Sequence, residues 1–554
     1  MSIKPAVTAI TSAEFSRLTP PEQLDVLRGQ DARQKTRLLL DAANGAELLA
    51  QLSTQEVYLL VMERGPEFLP ELLGMASPEQ WTGLIDLDCW QGDRFNAEKA
   101  RRWLEILLEN DDQTIVAILQ GIDFEQLILI CKAEMEIVSG PESIEDDDKR
   151  VEAVKRDGGY QINYHSAKSA KLFEAILERL HASDPQFFLY LLEAVRAETM
   201  SLIEESVYQQ RAARLLDMGI PDPLAARKVY AWLDPERYRQ QAPTKNLPGE
   251  FAGCAPGFLL TLSRPGGLFG KILTEGLEEA MAWEMAGLVN KVIMADGADL
   301  ASSAAVGETI GKVNGYLNLA LTWLCGDDAA AARERLQTTY WEDLFRVGHS
   351  LTLRLQQRAR ALAGTTLAAY LDEQAQACLK ALLETPPRLF EGVMAATRAG
   401  TRHFSEPAEI EAVSRWLARV ELQRSLFEDG LPFALPEPAG LDLTGCTPES
   451  ADDLSLLEFF LTALSNKLLG GDLLPLPIAE EDLAALHGMV CQAGAIRPRL
   501  REETVKWLES QVPGGGEFAQ YCLDIWAEEF CAIALEDLDP RFVGGLIVRL
   551  HTPA

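Results

Sequence analysis

The chain has 554 residues, and 84 Asp and Glu against 51 Lys and Arg leave a formal charge of −33. At roughly 150 residues per domain, this length predicts three or four domains or one long repeat array, and a hydrophobic share of 47% excludes wholesale disorder. Such a polyanion repels nucleic-acid phosphates and anionic lipid, so no nucleic-acid partner and no membrane insertion are expected.

Aromatic residues make up only 7%, while Leu, Ala and Glu are abundant, which favours helix over strand. The N-terminal MSIKPAVTAITSAEF has no apolar core and no cleavage site, so secretion is not expected. The most apolar stretch, 313–325, carries Asn314, Asn318 and Thr322 and is shorter than the roughly 20 residues of a bilayer span. Nine scattered cysteines, none in a C-x-x-C pair, read as buried small hydrophobes in a reducing compartment rather than a disulfide framework. The expected location is cytoplasmic.

In chain order, residues 1–139 form a degenerate helical repeat. GAELLAQLSTQE (45–56), LPELLGMASPEQ (69–80) and VAILQGIDFEQ (116–126) each join an apolar helix end to a capped helix start. Leu49, Leu73 and Leu119 are spaced by 24 and then 46 residues, about one and two periods. Ser53 with Glu56, Ser77 with Gln80 and Asp123 with Gln126 predict capping boxes, in which the Ser or Asp accepts from a helix amide and the Glu or Gln reaches back. Pro78 stands at the first helical position, where its missing N–H costs nothing. Short helices at a fixed period predict an α-solenoid.

Residues 140–166 interrupt this pattern with an acidic run, Glu145–Asp148, then an Asp157-Gly158 turn and the alternating Tyr160, Ile162 and Tyr164, which predict a small β-hairpin insertion. Residues 167–241 predict a helical extension, with Asp184-Pro185 and Asp222-Pro223 as helix starts. Tyr190, Tyr208, Tyr230, Trp232 and Tyr238 within it read as core and cap residues. A Pro- and Gly-rich linker spans 242–270, a central helical block 271–428, a second linker 429–450 and a C-terminal helical block 451–554. The fold class is therefore all-α, with strand confined mainly to the hairpin.

The leucine-plus-cap repeat resembles the intracellular N-terminal domain of MgtE-type magnesium channels and the related repeats of the flagellar switch protein FliG. That resemblance covers about a quarter of the chain and implies a superhelical scaffold with an acidic surface able to bind divalent ions. The regulatory and transmembrane parts of MgtE are absent. Over its full length, through GYQINY, NKVIMADGADL and LFRVGHSL, the chain is similar to a bacterial family classed as a domain of unknown function, which implies no site residues.

The motifs point away from common chemistries. PGGLFGKIL (265–273) lacks the first Gly and the Ser or Thr of a phosphate loop and reads as a Gly-rich helix start. His487 and Cys491 share a helical face, but two ligands do not make a zinc site, and Cys522 and Cys531 join them only by tertiary accident. There is no G-x-S-x-G elbow, and six histidines show no partnership. The Glu145–Asp148 run reads as a solvated face rather than a magnesium or calcium site. No cofactor is expected.

The best polar constellation is central. Glu278, Glu279 and Glu284 precede Asn290, Lys291, Asp296 and Asp299, and YWEDLFRVGHS supplies Glu342, Arg346 and His349. Adjacent helices could gather Lys291, Asp296, Asp299, Arg346 and His349 into one acid/base or metal-assisted pocket. The plainer expectation is a Glu342–Arg346 ion pair and a core-edge histidine. The leading functional expectation is a cytoplasmic scaffold or adaptor, not an enzyme, that binds an unidentified protein partner. The alternative is an enzyme, or a small-ligand or divalent-ion sensor, with its pocket in the central block.

Overall fold

The computed structural model describes residues 10–139, 154–157, 159–240, 245, 257–258, 262 and 265–551. The chain is mostly α-helical, with a few small sheets between the helices. It divides into two compact units, Met1–Gly348 and His349–Ala554, and the division falls inside the helix Trp341–Ala363.

In the first unit the repeat leucines Leu49, Leu73 and Leu119 are all fully buried, and the helices start where the caps require. Ser53 accepts from Glu56 N, Ser77 from Gln80 N and Asp123 from Gln126 N, ahead of the helices Thr54–Arg64, Pro78–Asp88 and Phe124–Glu134. Of these three, only Ser77 and Gln80 close a two-armed box: Gln80 N donates to Ser77 Oγ at 3.2 Å and Ser77 N donates to Gln80 Oε1 at 3.1 Å. The other two third-position side chains do not fold back, because burial gives them tertiary partners. Glu56 takes Lys35 Nζ at 2.5 Å and Gly257 N at 2.9 Å. Gln126 donates to the Thr82 carbonyl at 3.2 Å and to Asp86 Oδ1 at 2.9 Å.

The same amides tie each hairpin to an earlier one. Gln80 Nε2 donates to the carbonyls of Leu49 and Leu52, at 2.8 and 3.1 Å, at the end of the helix Gly45–Ala50. Loss of the Ser77 hydroxyl should therefore cost about 1 kcal/mol. We expect Ser77→Ala to lower the unfolding free energy of the full chain by that amount in a denaturant melt, and an unchanged midpoint would argue against the cap's contribution.

The hairpin expectation at 140–166 is corrected. Tyr160–Tyr164 is the central strand of a three-stranded antiparallel sheet, flanked by Val154–Asp157 and by Met135–Ser139. The third strand comes from the segment assigned to the helical repeat. After the helix ends at Glu134, Met135 and Ile137 alternate inward with Glu136 and Val138 outward, and Ile137 pairs with Ile162. The run Glu145–Asp148 and Gly158 of the expected turn lie outside the described residues, as does most of the 242–270 linker.

Strand is also more widespread than expected. Two-stranded ribbons join Trp90–Gln91 to Arg94–Phe95, Leu389–Phe390 to Thr401–Arg402 and Cys491–Gln492 to Ala495–Ile496. In the second unit Val548–Arg549 pairs with Cys446–Thr447 antiparallel and with Ile478–Ala479 parallel. Each strand there has two residues, too short for alternation to register in the sequence.

Asp184 and Asp222 cap their Pro-led helices as expected, each accepting from two backbone amides. Gly267 opens the helix Gly267–Glu275 at φ +66°, and a Cβ there would meet the Asn318 side chain at 2.5 Å. The cysteine reading needs one correction: Cys491 and Cys531 form a disulfide in the second unit. Cys89, Cys131, Cys378, Cys446 and Cys522 are free and buried.

Candidate functional site

Lys291 and Asp296 lie on the helix Glu279–Asp296 and Arg346 on the helix that begins at Trp341, whereas Asp299 follows the first helix and His349 belongs to the second unit. Glu284, Leu288 and Lys291, at positions i, i+4 and i+7, share one face of the helix Glu279–Asp296. Together with Tyr340, Glu342, Asp343 and Arg346 they line an open depression of about 470 Å³. Lys291 and Arg346 are thus brought together.

Asp296, Asp299 and His349 do not line this depression. Asp296 pairs with Lys312 and accepts from the Tyr230 hydroxyl at 2.8 Å. Burial first, and then the Asp296 carboxylate, push the Tyr230 phenol far above its ordinary pKa. Asp299 accepts from Ala301 N at 2.9 Å in a local turn. His349 is buried.

Charge within the depression is compensated pair by pair. Lys291 Nζ meets Glu342 Oε2 at 2.7 Å. Arg346 does not take Glu342, as helical spacing suggested; it pairs with Asp343 at 3.1 Å and donates from Nε to the Ala231 carbonyl at 3.2 Å. Lys291, reaching across from the neighbouring helix, has claimed Glu342. Glu284 pairs with Lys245 and accepts from Trp341 N at 2.9 Å. Burial raises the Glu284 carboxyl despite these partners, and burial likewise raises Asp343, with Glu342 adding to the effect and Arg346 opposing it. A polar ligand entering here has to exchange with existing ion pairs.

Asn290, one residue before Lys291, faces elsewhere. It is buried and exchanges two hydrogen bonds with Gln55, at 2.7 and 2.9 Å. This reciprocal amide pair fastens the helix Thr54–Arg64 to the central block. Nothing in the sequence links positions 55 and 290.

Among the described residues no group of three or more His, Cys, Asp or Glu side chains is arranged to hold a metal ion. His487 Nε2 lies 3.1 Å from the Ile533 carbonyl, and Cys491 is consumed by Cys531. Among the described residues no single helix is long and apolar enough to cross a membrane. One bent pair, Asp112–Gly121 with Phe124–Glu134, passes by length and composition together, with a 108° break between its helices.

These features define a mostly helical protein of two units, with stapled helical hairpins and a charge-paired depression in the first. The chain belongs to the DUF6178 family, a family of unknown function, whose model matches residues 12–549. No curated protein and no solved structure matches it.

Proposed function

We propose that the protein is a helical scaffold or adaptor that binds another protein through its first unit. The observation that carries this reading is a set of large apolar side chains left in solvent on two consecutive helices. Tyr190 on Pro185–Ala197 is 63% exposed, and Leu202 and Leu216 on Met200–Asp217 are 67% and 63% exposed. Leu202, Gln209 and Leu216 recur every seven residues, so they share one face of that helix. Tyr190 was expected in the core; instead it stacks on Phe124 at 4.8 Å with its other face open. Trp232, also expected inside, is half exposed. Exposed apolar groups clustered on neighbouring elements are a common mark of a protein contact.

The finer reading, an α-solenoid of the MgtE N-terminal or FliG kind, is supported by the amides of Gln80 and Gln126, which lock successive hairpins as a stacked array requires. A second reading, a small-ligand or ion-sensing pocket, is favoured by one observation: Lys291 and Arg346 share a depression.

A single experiment separates the two. The tagged full chain is purified from its host and bound proteins are identified by mass spectrometry. Two folded variants, Leu202→Asp/Leu216→Asp and Lys291→Ala/Arg346→Ala, are compared with the parent. The scaffold reading expects the first variant to lose a specific partner and the second to keep it and to complement a deletion strain. A retained partner set with failed complementation by the second variant would favour the pocket.

A further inference from the structure

The second unit contains a cavity of about 420 Å³, within the size range of small-molecule sites. Its lining mixes aliphatic, polar and aromatic side chains, and the aromatic ones come from three places in the chain. Tyr370 precedes the helix Glu373–Leu383, Trp416 lies on Pro407–Ser425, and Phe518 and Tyr521 lie four apart on Gly515–Trp526.

The walls are held from behind. The Tyr370 hydroxyl donates to the Pro436 carbonyl at 2.6 Å, and its ring meets Phe459 edge-on at 4.7 Å. Phe518 packs edge-on against Phe427 at 5.9 Å and at a tilt against Phe460 at 5.6 Å. Rings fixed in this way form a preorganised slot for a flat apolar body.

Three charged side chains share this lining; Asp372 is committed to its helix cap, accepting from Ala375 N at 2.8 Å, and the other two are of opposite sign. Arg419 is one turn beyond Trp416 on its helix, and Glu517 adjoins Phe518. Among the described residues neither has an ion-pair or hydrogen-bond partner for its side chain, and they are not paired with each other. The neighbouring Arg358 and Arg424, by contrast, are each bound to a glutamate, Glu421 and Glu428. Gln423, one turn past Arg419, adds an amide to the same lining.

We propose that this cavity binds a zwitterionic ligand with an aromatic body, in the size class of an aromatic amino acid. The ring enters the slot walled by these aromatic side chains, the ligand carboxylate pairs with Arg419, and its ammonium pairs with Glu517. An unpaired anion and cation in one aromatic slot are complementary to a ligand that carries both signs at one end. The guanidinium fork suits a carboxylate, and the electron-rich ring faces add attraction for the ammonium.

The test uses the full chain and three indole probes in titration calorimetry: L-tryptophan, tryptamine without the carboxylate, and indole-3-propionate without the ammonium. Arg419→Gln and Glu517→Gln alter exposed side chains, and unchanged melting temperatures verify that both variants fold. We expect L-tryptophan to bind more tightly than either analogue. Each variant should weaken L-tryptophan about tenfold. Arg419→Gln should leave tryptamine unaffected, and Glu517→Gln should leave indole-3-propionate unaffected. Absence of L-tryptophan binding, equal affinity for all three probes, or indifference of L-tryptophan to either substitution overturns the proposal.

Discussion

Replacing Arg214 by Ala is expected to lower stability by about 3–5 kcal/mol at neutral pH, because it strands a buried carboxylate. Asp86 is fully buried and takes Arg214 Nε at 2.6 Å and Nη2 at 3.1 Å, and Gln126 Nε2 at 2.9 Å. Burial is the largest influence on the Asp86 carboxyl and raises its pKa, while Arg214 and Arg211 pull it down. A carboxyl whose folded pKa lies above its unfolded one contributes stability that is complete below the ordinary value of about 3.9 and fades as pH rises through the folded value. Without Arg214 the folded value climbs further. The deficit of the variant should therefore be largest near pH 7 and shrink toward pH 4, where Asp86 takes up a proton. Urea melts of parent and variant at several pH values measure this. A deficit below 1 kcal/mol at pH 7, or one that does not diminish in acid, would sink the assignment.

Opening the Cys491–Cys531 disulfide should cost about 4 kcal/mol in the second unit. The bond closes a loop with a sequence separation of 40, and cross-linking a loop of that length restricts the unfolded chain by about this amount. It ties the Cys491–Ile496 ribbon to the turn that follows the helix Gly515–Trp526. We expect a non-reducing peptide map to recover the two cysteine peptides joined. The double variant Cys491→Ser/Cys531→Ser should unfold at lower denaturant, at a midpoint insensitive to reductant. Two separate, alkylatable peptides from the native protein would refute the link.

Both effects arise from residues far apart in the chain, 86 with 214 and 491 with 531, and neither pairing is written in local pattern. Odd cysteine number and the lack of C-x-x-C spacing argued against any disulfide. Pairing depends instead on the distance between Cα atoms, here 5.2 Å, and spacing in sequence does not report it. The central site was half legible for the same reason. Helical spacing put Arg346 one turn from Glu342, but it could not show that Lys291 would reach Glu342 first and leave Arg346 to Asp343. The lining of the second-unit cavity is barely legible in the sequence. A faint signal existed in Trp416, Arg419 and Gln423, which stand at i, i+3 and i+7 on a helix whose buried face is carried by Val413, Leu417 and Val420.

The sequence by itself determined the helical character of the chain, the buried leucines of the repeat and the helix starts at Ser53, Ser77, Asp123, Asp184 and Asp222. These follow from short-range physics, since a cap, a proline at the first turn and a 3.6-residue period act within a few residues of one another. Only the tertiary structure decided where the buried polar side chains would spend their hydrogen bonds. Glu56 left its own cap for Lys35 and Gly257, Gln126 left its cap for Thr82 and Asp86, and Asn290 turned from the polar face to Gln55. The Met135–Ser139 segment became a strand because Tyr160–Tyr164 offered it an edge. A buried polar group left without a partner costs more than a local bond is worth, so each takes the partner that packing brings within reach, however distant in the chain.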